Sequence, residues 1–233
     1  MGRIFIKGDC HGNFTFLREF CRENNTTLDD TLIILGDAGI NFWLHGQDKK
    51  LKKFISHFPI TLFCVHGNHE ERPRNIGTYK AAYYEKYSCN CWYEEEFPNI
   101  LFPFNGTAAF NGKKFLIIGG AYSVDKFYRL ERGAPWFESE QLTSLEKEAI
   151  LLFIEEENSF DYILTHTAPL NYEPTYLFLD FIDQSKVDKS METFLQVICE
   201  RITFKNWCFG HYHDDKNLGD VFKIYYHQIE EIL

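Results

Sequence analysis

The sequence predicts an α/β fold in which two mixed β-sheets pack face to face and helices flank them. Three observations predict it. Short apolar runs stop abruptly at Gly8, Gly36 and Gly67, as strands covered on both faces do. Amphipathic stripes with helical spacing separate these runs, which calls for right-handed crossovers and parallel pairing. Beyond residue 105 a hairpin pattern is followed by alternating helix and strand patterns, enough for a second sheet.

The elements follow in order. Residues 3–7 (RIFIK) form the first strand, and Phe14, Leu17, Phe20 and Cys21 share a helical face behind Asn13, a candidate N-cap. Residues 31–35 (TLIIL) form the second strand. Leu51, Phe54, Ile55 and Phe58 mark the second helix, and residues 60–65 (ITLFCV) the third strand. Residues 72–99 show no period but carry Tyr79, Tyr83, Tyr84, Tyr87, Trp92 and Tyr93. We read them as an aromatic-rich insertion in one domain spanning 1–233, either a substrate lid or satellite core under a long loop. Glu94, Glu95 and Glu96 read as a solvated face. Residues 106–121 form a hairpin with Asn111-Gly112 at a type I′ turn. A helix from Glu140 to Glu157 would bury Leu142, Leu145, Ala149, Leu152 and Phe153. Strand 161–169 comes next. A helix through Val187, Met191, Phe194, Leu195 and Ile198 is opened by Ser185-Lys186-Val187-Asp188. Strands at 206–214 and 219–229 close the chain.

Bulk properties exclude several classes. The net charge of −10 repels phosphate backbones and anionic membranes, so extended nucleic-acid binding and membrane binding are not expected. No apolar stretch reaches membrane-spanning length. Seven cysteines without a secretory leader point to reduced thiols in the cytoplasm. Cys89-Asn90-Cys91 lacks metal-finger spacing.

Five strand ends deliver polar side chains: Gly8-Asp9-Cys10-His11-Gly12, Gly36-Asp37, Gly67-Asn68-His69-Glu70, Thr165-His166-Thr167 and Gly210-His211-Tyr212-His213. Loops at the carboxyl ends of strands can converge on one ligand. Asp9, His11, Asp37, Asn68, His166, His211 and His213 are nitrogen and oxygen donors suited to divalent ions of intermediate hardness. Seven donors exceed the needs of one ion and suit two ions sharing Asp37, an arrangement that can clamp a phosphoryl group. Cys10 reads as a small packed thiol. His45, His57 and His227 lack such company and read as ordinary residues.

These motifs, in this order from Gly8 to His213, resemble the calcineurin-like metallophosphoesterases. The resemblance implies a four-layer α/β/β/α sandwich. It implies two divalent metal ions, manganese foremost, with iron, zinc, nickel or cobalt as alternatives. Asp9, His11 and His213 would hold one ion, Asn68, His166 and His211 the other, with Asp37 bridging. A metal-bridging hydroxide would attack phosphorus while His69 protonates the leaving group. The string Gly67-Asn68-His69-Glu70-Glu71-Arg72 is similar to the GNHExR motif of the phosphoprotein phosphatase branch, which makes Arg72 a candidate phosphate ligand. That branch reads GDxxDRG after its second strand, whereas here Ile40 stands where an aspartate orients the catalytic histidine and Asn41 where a second phosphate-binding arginine stands. Asn41 is therefore a substrate-binding candidate of altered chemistry, Glu70 or Asp125 is a candidate support for His69, and Arg129 and Arg132 read first as solvated surface, with replacement of the arginine as the alternative. The implied activity is phosphohydrolysis of a small molecule, nucleotide or phosphoprotein, foremost a phosphomonoester. The alternatives are a phosphodiesterase acting on a nucleotide or other small ligand, and a non-catalytic binding module on the same fold.

Overall fold

A computed structural model describes residues 2–233. The first half runs β1 (Ile4–Lys7), α1 (Leu17–Asn24), β2 (Thr31–Ile34), α2 (Gly46–Ile55), β3 (Thr61–Cys64), β4 (Lys80–Tyr84), β5 (Cys89–Tyr93) and β6 (Ile100–Pro103). The second runs β7 (Gly106–Phe110), β8 (Lys113–Ile118), α3 (Lys126–Arg132), α4 (Ser144–Glu156), β9 (Ser159–Thr165), α5 (Ser190–Arg201), β10 (Thr203–Phe209), β11 (Lys216–Leu218), β12 (Phe222–Ile224) and β13 (Glu230–Glu231). They form a seven-stranded sheet of order β13-β1-β2-β3-β6-β5-β4 and a six-stranded sheet of order β11-β12-β10-β9-β8-β7.

Four layers result, and the side chains show why. Ile4, Ile6, Ile33, Leu35, Phe63 and Val65 alternate along β1–β3 and meet Phe110, Phe115, Ile117 and Leu164 of the other sheet. The intervening Phe5, Leu32, Ile34 and Leu62 face outward and are covered by Leu17, Cys21 and Ile55 of α1 and α2. The second sheet likewise shows Leu116, Ile118 and Ile163 to Ile150, Ile154, Leu195 and Ile198 of α4 and α5. Central strands covered on both faces need apolar side chains at every position, which explains the continuous runs. β1, β2, β3 and β6 are mutually parallel, as are β8, β9, β10 and β12. The carboxyl ends of β1–β3 and of β9 and β10 can therefore deliver their loops to one place.

Several local expectations are corrected. The aromatic segment is a hairpin, β4–β5, extending the first sheet by antiparallel pairing to β6. Tyr87 and Tyr79 are buried, Tyr87 against Thr31 Oγ1 at 2.8 Å, so these aromatics are core and not a lid. Glu94 is buried and paired with Lys52; only Glu95 and Glu96 reach solvent. Helix α4 begins with a Thr143–Glu146 capping box, later than Glu140. Its buried residues are Ile150 and Ile154, while Leu145 and Leu152 are exposed. Residues 149–154 are apolar without a break, so periodicity cannot select the face. α5 starts at Ser190, whose N–H donates to Asp188 Oδ1, leaving Val187 outside the helix. Asn13 accepts from Thr15 in the turn ahead of α1 and does not cap it. The hairpin turn at Asn111-Gly112 forms as expected, with positive φ at both residues.

Candidate metal centre

Tight turns at the strand ends carry the donors. Asp37, which follows β2, and His11, His211 and His213 all have φ between +46° and +67°. The left-handed region costs an L-residue about 1–2 kcal/mol, and Asp, Asn and His tolerate it best. Four donors held there show that the surrounding backbone fixes them in place. The Asp37 carbonyl accepts from the N–H groups of Cys10 and His11, stitching the β1 and β2 loops together. Glu70, fully buried, accepts from Gly67 N and Gly39 N and stitches β2 to β3. Close approach demands glycine at two positions. A Cβ on Gly67 would lie 2.0 Å from Asp37 Oδ1, and one on Gly210 2.3 Å from Asp9 Oδ1.

All seven predicted donors converge. The ligand atoms of Asp9, His11 and His213 lie within 4.8 Å of one another, as do those of Asp9, Asp37 and His166. His11 Nε2 and His213 Nε2 are 2.9 Å apart, and His213 Nε2 is 3.2 Å from Asp9 Oδ2. Asn68 Oδ1 lies 2.8 Å from His166 Nε2 and 3.1 Å from His211 Nδ1, while its Nδ2 donates to Ser123. His166 Nε2 is 3.5 Å from Asp37 Oδ1. The second sheet supplies three of the donors, and imidazoles are long enough to reach across.

The electrostatics point to a cation site. The Asp9 and Asp37 carboxylates are buried together, which is costly without positive charge. Burial alone would raise Asp37, yet the His166 ring beside it holds the carboxyl well below its usual range. Burial opposes charge on His166, but Asp37 and Asp9 raise that ring to about 9, so with no ion present a proton on His166 supplies the positive charge that an ion would otherwise bring. Burial, with His166 nearby, pushes His211 down to about 3, leaving it a neutral lone-pair donor. Nitrogen and oxygen lone pairs gathered around two buried carboxylates fit divalent ions of intermediate hardness, and their number fits two. Cys10 stays outside this set: burial pushes its thiol up to about 12.

His69 stands at the edge of the cluster. Its backbone N–H donates to Asp37 Oδ1 at 2.8 Å, and its Nε2 lies 3.8 Å from Asp37 Oδ2. Burial lowers its pKa, opposed by Asp37 and reinforced by Arg129. Two cavities meet there. One of about 460 Å³ is lined by His11, His69, Phe42, Trp43, Leu51 and Arg129. The other, of about 400 Å³, includes His69, Asp125, Tyr122, Phe178, Lys189 and Glu192.

The two predicted substrate ligands lie elsewhere. Arg72 donates through Nε to the Ser139 carbonyl at 2.7 Å and lines a different cavity. Asn41 is buried and accepts from the Tyr79 hydroxyl, 38 positions away. Glu70 spends both carboxylate oxygens on backbone N–H groups, so of the two acids proposed to support His69 only Asp125 lines a cavity with it. Asp125 Oδ2 in turn accepts from Arg129 Nε at 2.7 Å. Arg132 instead lies over Tyr128. Ile40 is fully buried core. Phe42, Trp43, Tyr122, Lys189 and Glu192 were missed from sequence. Position alone marked Trp43, six residues beyond Asp37 on the same loop.

Comparison with known proteins agrees with this geometry. The family described as calcineurin-like phosphoesterase matches residues 2–215. One crystal structure superposes with a TM-score of 0.53 at 16% identity, covering 97% of this chain and 90% of that one, which speaks for the fold alone. No curated protein matches by sequence. No helix is long and apolar enough to cross a membrane. The chain belongs to the calcineurin-like phosphoesterase family.

Proposed function

We propose that this member of the calcineurin-like phosphoesterases is a binuclear metal-dependent phosphohydrolase acting on a small organic phosphate. The convergence of Asp9, His11, Asp37, Asn68, His166, His211 and His213 supports it most. Asp9, His11 and His213 would hold one ion, Asn68, His166 and His211 the other, and Asp37 would be shared. When bound, the ions supply concentrated positive charge for the phosphoryl oxygens and acidify water. Manganese is our first choice of metal, and the seven free cysteines suit a reducing cytoplasmic setting.

The chain's own residues do the rest. His69, with Nε2 facing the Asp37 carboxylate, is placed to carry a proton to the leaving-group oxygen. Asp37 fixes that residue through its backbone N–H, and Asp125 and Arg129 set the charge around its ring. Arg129, half-covered by Phe42, offers a guanidinium for a phosphate oxygen in place of the arginine that the sequence motif lacks. Apolar walls, Phe42 and Leu51 on one side and Leu177 and Phe178 on the other, shield the reacting region from water.

Arg72, whose Nε donates to the Ser139 carbonyl, gives the monoester reading no support at the donor cluster. Two cavities meeting at His69, with Arg129 lining one of them, favour a phosphodiester or nucleotide carrying an organic group on each side. Rates on aryl phosphate monoester and aryl phosphodiester, measured side by side with Mn²⁺, decide between the two. Full activity in chelated protein would overturn the metal-dependent reading altogether.

A further inference from the structure

A third cavity, of about 270 Å³, shares no residue with the donor cluster or with the two cavities at His69. It is formed by Cys64, His66 and Arg72 beyond β3, by Trp92 and Phe104 on the far side, and by Ile150 of α4. Trp92 and Phe104 stack with centroids 5.0 Å apart.

Two of its polar groups are not satisfied. Arg72 is 6% exposed, yet its Nη2 has no hydrogen-bond partner and its only side-chain bond runs to a neutral carbonyl. The nearby carboxylates are engaged: Glu146 pairs with Arg74, Glu70 accepts from Gly39 and Gly67, and Glu71 accepts from Arg72 N, Asn75 and Ser139 Oγ. His66 is 8% exposed with neither ring nitrogen bonded. Glu146, Glu71 and Glu70 lie near enough to offset part of the Arg72 charge, but none of them bonds the guanidinium, and native proteins rarely leave buried donors without a partner.

We propose that this cavity binds a small organic carboxylate, its charged end on Arg72 and His66 and its apolar body against Trp92, Phe102 and Phe104. One guanidinium with a free Nη2, in a cavity that Glu146 also lines, suits a ligand with a single carboxylate and no further negative charge. The guanidinium fork suits a planar carboxylate, and the lining suits a compact ring or short chain.

Benzoate tests this by calorimetric titration of the Mn²⁺-loaded protein and its Asp9→Asn, Arg72→Met and Arg72→Lys variants. Saturable one-to-one binding is expected in wild type and Asp9→Asn, weakened by about tenfold or more in Arg72→Met. Arg72→Lys, which keeps the charge but loses the fork, should bind with intermediate affinity and covers the case in which Arg72→Met does not fold. Absence of saturable binding to wild type up to ~10 mM would overturn the proposal. So would binding lost in Asp9→Asn and kept in Arg72→Lys at full strength, since the anion would then sit at the donor cluster.

Discussion

The inner and outer halves of the donor cluster are built differently. Inside, Asn68, Asp37 and His166 are buried, and each is fixed by a second bond: Asn68 to Ser123, Asp37 through its carbonyl to the β1 loop, and His166 through Nδ1 to the Leu35 carbonyl. Outside, the side chains of His11 and His213 are 36% and 47% exposed; they contact each other and Asp9, His213 stacks on Tyr226, and neither ring has a second hydrogen bond to the backbone. A metal-ligating histidine held by a second hydrogen bond keeps its orientation, whereas an exposed one is free to swing. The inner position should therefore hold its ion tightly and the outer one exchange it.

The bridge between the halves should matter most. Asp37→Asn removes the charge that both positions would share and leaves only an amide oxygen to accept from His69 N, and it should cost about 10³-fold or more in kcat/KM, with metal stoichiometry falling by inductively coupled plasma analysis. Retention of two ions and near-native rates would remove Asp37 from the bridging role.

His69→Ala should separate proton transfer from metal binding. A loss of about 10²–10⁴ in kcat is expected with both ions retained. The loss should be larger for alkyl than for aryl leaving groups, since a poor leaving group depends more on a proton. An equal loss for both would assign His69 to positioning.

The halves themselves are compared by His213→Ala and His166→Ala. The outer variant should lose about 10–100-fold, much of it restored by raising Mn²⁺, because removing one exposed ligand weakens affinity for its ion while the other ligands keep the site in place. The inner variant should not be restored. Equal rescue of both would erase the distinction.

What the sequence disclosed follows the same division between local and distant causes. Each donor sits in a short motif after an apolar run, and the turn that presents it is built from neighbours in the chain, so strand ends and ligands were readable together. Arg72 and Asn41 were readable as residues but not as directions. Arg72 is drawn aside by the Ser139 carbonyl and Asn41 by the Tyr79 hydroxyl, partners 67 and 38 positions away. The β4–β5 hairpin was hidden because its aromatics lie on both faces, and the buried side of α4 because residues 149–154 are apolar all round. Tertiary partners, not local propensity, decided these cases.

The smallest effect concerns the cavity wall beside the inner half. Glu192 Oε1 accepts from Thr167 Oγ1 at 2.8 Å, while Oε2 is buried without a partner. Burial pushes the carboxyl up to about 7 from an ordinary 4.5. A folded pKa above the unfolded one means that the native state holds the proton more tightly. The stability so gained is complete below pH 4.5 and is lost as pH rises through about 7. Glu192→Gln mimics the protonated form at every pH. Its stability relative to wild type should therefore climb between pH 5 and pH 8, by about 2–3 kcal/mol in urea melts made in one metal state. A gap that stays constant across that range would show that Glu192 is already ionised at pH 5 and that Lys189 or solvent reaches it.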